Sequence, residues 1–163
     1  MTRFGLFILA FCIWLGPLEG WSQGATTASV GVSATIPSWG YCWFQSASAT
    51  LPFGNLDPTH PTTVSAQANL SFRCIGYPTV TFYISHDSGL HGSNPNALRL
   101  QNSASSTSYI PYTLALNPTS ATISSAIISP VQTLTVTGSI AGADYRTAPA
   151  GTYADTVVMT IVP

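Results

Sequence analysis

Val64-Ser65-Ala66-Gln67-Ala68-Asn69-Leu70-Ser71-Phe72-Arg73-Cys74 changes character at every residue. Val64, Ala66, Ala68, Leu70, Phe72 and Cys74 fall on one side, and Ser65, Gln67, Asn69, Ser71 and Arg73 on the other. A side-chain period of two belongs to an extended chain, so this stretch predicts a β-strand with one face in a core and one in water. The sulfur of Cys74 is thereby placed inside.

The same alternation recurs on both sides. After a turn at Gly76-Tyr77-Pro78, Val80, Phe82 and Ile84 form the inner face of a second strand, and residues 86–96 read as a Gly-, Ser- and Asn-rich loop. Leu98-Arg99-Leu100 and a Ser-rich linker lead to Ile110, Tyr112, Leu114 and Leu116. Residues 117–130 read as loop in which Ile123, Ile127 and Ile128 can pack, and Leu134, Val136 and Ile140 mark a strand before a turn at Gly142-Ala143-Asp144. Toward the N-terminus, Tyr41-Cys42-Trp43-Phe44 is an aromatic strand broken from what precedes it by Pro37-Ser38-Trp39-Gly40. Leu51-Pro52-Phe53-Gly54-Asn55-Leu56-Asp57-Pro58 is a short apolar piece running into a turn, with Pro52 keeping it at an edge or bulge. Within residues 25–36, Val30, Val32, Ala34 and Ile36 alternate against Gly31, Ser33 and Thr35, which predicts another strand. Roughly seven or eight short strands, with turns between them and no amphipathic helix past the leader, predict an all-β sandwich.

Residues 151–162 read as its last strand. Tyr153, Val157, Met159 and Ile161 share one face and Thr152, Thr156 and Thr160 the other, with Asp155 interrupting the inner face. A last strand this apolar is normally covered by another, so either a strand comes to its edge from elsewhere or the edge stays open.

Composition narrows the function. Only 6% of the 163 residues are charged and none is Lys, so the clustered cations that bind a phosphate backbone are missing and nucleic acid is excluded as a partner. With 45% hydrophobic residues the chain is a packed protein rather than a disordered one. Residues 1–24 have the form of a secretory signal: Arg3 supplies the positive start and Phe4 to Leu15 an apolar run too short to span a bilayer. Cleavage is placed after Gly24, with Gly20 as the alternative, which removes Cys12 and leaves Cys42 and Cys74 in a disulfide-permissive route. The two are expected to be bridged, and closing a loop of about 32 residues stabilises by roughly 3 to 4 kcal/mol.

Chemistry finds little purchase. His86 and His91 flank Asp87, but this loose trio lacks the convergent spacing of a metal site, and solvated loop residues are the better reading. His86-Asp87-Ser88 holds the residue types of a hydrolytic triad, yet adjacent side chains diverge and cannot form its hydrogen bonds. There is no Gly-x-Ser-x-Gly elbow and no phosphate loop, so an enzyme is disfavoured and no cofactor is implied. Asn69-Leu70-Ser71 fits a glycosylation acceptor but lies within a strand. Trp39, Tyr41 and Trp43 surround Cys42 and form a possible aromatic platform for sugars or surfaces. Packing around the disulfide is the favoured reading for Trp43, and a turn position exposes Trp39 more.

The order of these pieces resembles the spore coat protein U family, whose better-known members are subunits of archaic (Csu-type) chaperone-usher pili. The resemblance rests on the alternating Val30 to Ile36 before Cys42, on Leu51 to Pro58, and on Cys74 ending a strand. It continues through Leu98-Arg99-Leu100, Ile110-Pro111-Tyr112-Thr113-Leu114, and Ala148-Pro149-Ala150-Gly151-Thr152-Tyr153-Ala154-Asp155-Thr156-Val157. Ile75-Gly76-Tyr77-Pro78, His60-Pro61 and residues 123–130 depart from the pattern. The resemblance implies an incomplete immunoglobulin-like β-sandwich of Greek-key type over residues 25–163, its last strand missing and completed by a donor strand. It implies as partners a periplasmic pilus chaperone, an outer-membrane usher and neighbouring pilus subunits, with no membrane span in the mature chain. Val30, Val32, Ala34 and Ile36 become the donor strand, and Tyr153, Val157, Met159 and Ile161 the acceptor edge. Residues 25–36 serve as donor, as the domain's own first strand, or as both. The expected function is a non-enzymatic subunit of a surface fibre, secreted through the periplasm and supporting attachment or biofilm formation. The alternatives are a secreted binding module working through the aromatic platform and a spore or cell coat protein that does not polymerise.

Overall fold

The structure, a computed structural model, describes residues 29–35, 39–124 and 128–163. The chain divides into two units, residues 1–35 and 36–163. In the first, residues 29–35 lie outside any strand or helix, and Val30 and Val32 are 85% and 91% exposed. The strand expected over residues 25–36 is therefore not formed where it is described. A lone extended segment gains nothing without a neighbour to take its backbone hydrogen bonds, and 29–35 join no ladder. Residues 1–28, with the expected leader among them, and Ile36 lie outside the described residues.

The second unit is an all-β, immunoglobulin-like sandwich of antiparallel sheets. Its strands are β1 (Trp39–Phe44), β2 (Val64–Tyr77), β3 (Thr79–His86), β4 (Leu98–Asn102), β5 (Ser105–Asn117), β6 (Ser120–Ser124), β7 (Gln132–Ile140), β8 (Tyr153–Ala154) and β9 (Met159–Val162), with one helical turn, α1 (Gly142–Tyr145). The larger sheet runs β1-β2-β7-β5-β4-β8 and the smaller β6-β3-β9. β2 holds the register of the larger sheet, pairing with β1 from Trp39 opposite Tyr77 to Phe44 opposite Phe72, and with β7 from Val64 opposite Ile140 to Phe72 opposite Gln132.

The alternation of β2 and β3 does what it predicts. Phe72 and Cys74 are fully buried, and Phe72 meets Phe82 of the smaller sheet edge-on at 5.0 Å. Around them lie Cys42, Leu70, Val80, Ile84, Leu134 and Val136, a core between the sheets. A second core of Leu98, Ile110, Tyr112, Ile140 and Tyr145 fills the other end of the larger sheet. There the Leu51–Leu56 stretch covers the sheet without being a strand. Gly138 makes this possible, because a Cβ at that position would overlap Leu51 and Phe53.

Four sequence expectations change. The supposed loop at 117–130 contains β6, which pairs with β3 and packs Ile123 against the main core. Ile128 is exposed at an isolated bridge to Ile75, and Ile127 lies outside the described residues. The Ser-rich linker is taken up by the β4–β5 hairpin, with Ser103 and Ala104 as its turn and Ser105 onward in β5. Trp39 and Gly40 belong to β1 rather than to a break before it. The turn at Gly142 is helical and anchored, since the Tyr145 hydroxyl donates to the Thr62 carbonyl and accepts from the Thr62 amide, each at 2.9 Å.

Candidate functional site

Each sheet ends in a strand with one hydrogen-bonded neighbour among the described residues: β1 is paired only with β2, and β9 only with β3. These two edges converge at one end of the sandwich, where a Cβ on Gly40 would stand 3.2 Å from Val80 and 3.3 Å from Pro163. Gly40 lies opposite Gly76, whose own Cβ would overlap Val80, so the inner surface carries no side chain there. The result is an open cleft of about 400 Å³ lined by Trp39, Gly40, Thr79, Val80, Thr81 and Pro163. Further along β1 the inner face fills. The Cys42–Cys74 disulfide joins directly opposed residues with Cα atoms 4.1 Å apart, and Phe44 then meets Phe72 edge-on at 6.2 Å. Across the seam, Met159 and Ile161 of β9 are half-buried against the main core. Main-chain edges bordering an apolar floor are suited to strand addition.

The C-terminal stretch expected as one strand is two. β8 pairs with β4 of the larger sheet and β9 with β3 of the smaller, so the chain crosses from sheet to sheet between Ala154 and Met159. Tyr153 and Val157 pack on the second core, and of the four expected acceptor residues only Met159 and Ile161 line the open edge. Asp155 causes the crossing to be stable. Its carboxylate accepts from the Tyr112 hydroxyl at 2.7 Å and from the Leu90 amide at 2.9 Å. Burial, and then this hydrogen bond, push the Tyr112 phenol well above the ordinary tyrosine range. Gly89, at φ +68°, admits the carboxylate, which a Cβ would displace. Asp87 grips the same crossing from the other side, accepting from the amides of Gly89 at 2.9 Å and Val158 at 3.0 Å. Those two bonds hold its carboxyl below the usual 3.8.

The family model of the Spore Coat Protein U domain matches residues 26–160. The chain belongs to the spore coat protein U domain family. No curated protein matches it. Among solved structures, one described as a chaperone–tip adhesin complex vital for activation of CFA/I fimbriae biogenesis is similar at 18% identity and a TM-score of 0.44, over 76% of this chain and 41% of that chain. This chain thus spans less than half the length of that one.

In this spore coat protein U domain the histidines are spent on local structure. The His86 ring bonds the Asp87 carbonyl at 2.8 Å, His91 lies beside Tyr109 with centroids 6.4 Å apart, and His60 contacts Asp57 at 3.3 Å. Among the described residues no group of three His, Cys, Asp or Glu side chains is placed to hold a metal. Asp87, read from sequence beside His86 and Ser88, faces main-chain amides instead. The aromatic residues stand elsewhere than around the disulfide. Cys42 points inward, so Trp39, Tyr41 and Trp43 share the outer face of β1, with Trp39 at 53% and Tyr41 at 59% exposed and Trp43 half-buried. The Gly40/Gly76 pair is legible in the sequence only as a glycine in each of two strands, and Asp155, visible there as a carboxylate on an apolar face, does not by itself point to Tyr112 and Leu90.

Proposed function

We propose that this domain is a non-enzymatic structural subunit of a chaperone-usher surface fibre that polymerises by donor-strand exchange. The observation that carries the reading is β9: its outer edge has no strand neighbour among the described residues, while Met159 and Ile161 on its inner face are half-buried against the main core. A periplasmic chaperone would lend a strand to this edge, an outer-membrane usher would pass the subunit on, and the 25–36 segment of a neighbouring subunit would replace the chaperone. The fibre would reach the cell surface and support attachment or biofilm formation. Residues 1–24 would be the secretory signal. Val30 and Val32, exposed in the free chain, supply the alternation that such a groove takes, together with Ala34 and Ile36. Burying these four contributes at most about 6 to 10 kcal/mol. That is comparable with a whole domain's stability of about 5 to 15 kcal/mol, so occupancy of the groove would govern whether the subunit persists.

The test is to co-express Val32→Asp with the chaperone and count fibres. An unpaired charge in the neighbour's groove costs several kcal/mol on the donor side only, so fibres should vanish while the chaperone complex survives. Normal fibres, or loss of the chaperone complex instead, would show that the segment is not the donor.

A further inference from the structure

The outer face of the β1–β2 ribbon differs from the rest of its sheet. Across the register its outward side chains pair Trp39 with Tyr77, Tyr41 with Ile75 and Trp43 with Arg73, and Ile128 bridges to Ile75. β7 pairs with β2 only from Val64 to Phe72, and its outward positions there are Thr133, Thr135, Thr137 and Ser139, opposite Ser71, Asn69, Gln67 and Ser65. The aromatic strip therefore runs, past Arg73, into a polar and hydroxyl-rich surface at one end. Cross-strand aromatic pairs stabilise a ribbon by themselves, but they do not require rings left half in water. Tyr41 and Trp43 lie 5.8 Å apart, centroid to centroid, with planes 21° apart, so each limits the other's swing. Such rings are already ordered, and a ligand that stacks on them loses little entropy in fixing them.

Arg73 adds a charge to this strip. It is half-buried beside Trp43, its Nε is buried with no hydrogen-bond partner, and no ion pair among the described residues engages it. Three of the four aspartates of the second unit are committed elsewhere, Asp57 to Thr59 and His60, and Asp87 and Asp155 to the C-terminal crossing, and the fourth, Asp144, forms no ion pair with Arg73. A cation with no counter-ion among the described residues, set at the end of an aromatic row beside hydroxyls, matches a ligand with apolar faces, hydroxylated rims and negative charge. Sugar rings carry apolar C–H faces and polar edges, which fit the strip and its border together; an apolar protein segment would leave the hydroxyl border and the charge unmatched.

We propose that this face binds an acidic polysaccharide, its sugar rings stacking on Trp39, Tyr41 and Trp43 and a ring carboxylate pairing with the Arg73 guanidinium. The strip lies on the outward face of the larger sheet and meets the cleft between the sheets only at Trp39, so Tyr41, Trp43 and Arg73 test this assignment apart from the one made for the cleft.

Intrinsic fluorescence tests it directly. Trp14 and Trp21 fall within residues 1–24, so in a chain that begins at Ala25 the emission comes from Trp39 and Trp43 alone. Oligomers of mannuronic acid are titrated, with cello-oligosaccharides of equal length as the neutral comparison. The expected result is a saturable shift with the acidic oligomer, weakened about tenfold by Trp43→Ala. Arg73→Gln should lower the affinity for the acidic oligomer to that for the neutral one and remove its salt dependence. Tyr41→Ala changes only an exposed ring and should give the same loss as Trp43→Ala with the disulfide intact. Three outcomes would overturn the proposal: no saturable change with either sugar, equal affinity for both that Arg73→Gln leaves untouched, or a shift that follows protein concentration alone and disappears in Tyr41→Ala. The last would make the strip a contact between copies of this chain.

Discussion

Asp155 shows how one residue can look like a flaw in a pattern and be its fixing point. A carboxylate on the inner face of an apolar strand is unfavourable unless its acceptors are filled, and here Tyr112 and Leu90 fill them while Asp87 closes the loop from the other side. The consequence for Asp87 is pH-dependent. Its folded carboxyl is held below the ordinary 3.8 by the Gly89 amide first and the Val158 amide second. A depressed value means the charged form is the one that stabilises, so its contribution is present above about pH 4 and is lost as pH falls through the folded value. Thermal unfolding of wild type and Asp87→Asn should therefore differ near neutrality and converge in acid. A gap that stays constant down to low pH would mean that the effect is steric and not the carboxylate's charge.

Among the elements, β7 and the stretch that lies on it depend on one absent side chain. Leu51 and Phe53 occupy the space above Gly138, and no larger residue fits without moving them. Gly138→Val should destabilise by about 1 to 3 kcal/mol through overpacking. Combining it with Leu51→Ala should recover part of that loss, because the two sites share one volume. Denaturant unfolding of the single and double variants measures the coupling, and strictly additive effects would place the cost in the glycine's backbone rather than in the contact. The same reasoning explains the cleft: with Gly40 opposite Gly76, β1 and β2 have no inner side chains where β9 ends, and space is left that Val80 only partly fills.

For the whole molecule, two edges and a seam between the sheets set the stability expected of the isolated domain. If the seam takes a strand, a synthetic peptide spanning Ala25 to Ile36 should raise the melting temperature of the chain lacking that segment. Ligand linkage gives about 2.7 kcal/mol at a hundredfold excess over Kd. A peptide of the same composition with the alternation scrambled should give no shift, because only one register presents all its apolar residues to the floor. Equal shifts from both peptides would reduce the effect to unspecific coating of apolar surface.

The alternation of β2 by itself determined which residues of that strand are buried and that Cys74 lies in the core. It did so because a period of two is a property of the backbone and survives any arrangement of neighbours. The pairing of Cys42 with Cys74 was legible for the different reason that no other cysteine lies in residues 25–163. Tertiary structure decided the rest. Whether Trp39, Tyr41 and Trp43 face core or water depends on which side of β1 the disulfide takes, since both sides of that strand carry large apolar groups. Whether residues 151–162 make one strand or two depends on Tyr112 and Leu90, which lie far away in sequence and hold Asp155 at the crossing. β6, short and rich in Ser and Thr, is a strand only because β3 offers it a ladder. Alternation records that a chain has two faces; only the neighbours packed against it decide what each face meets.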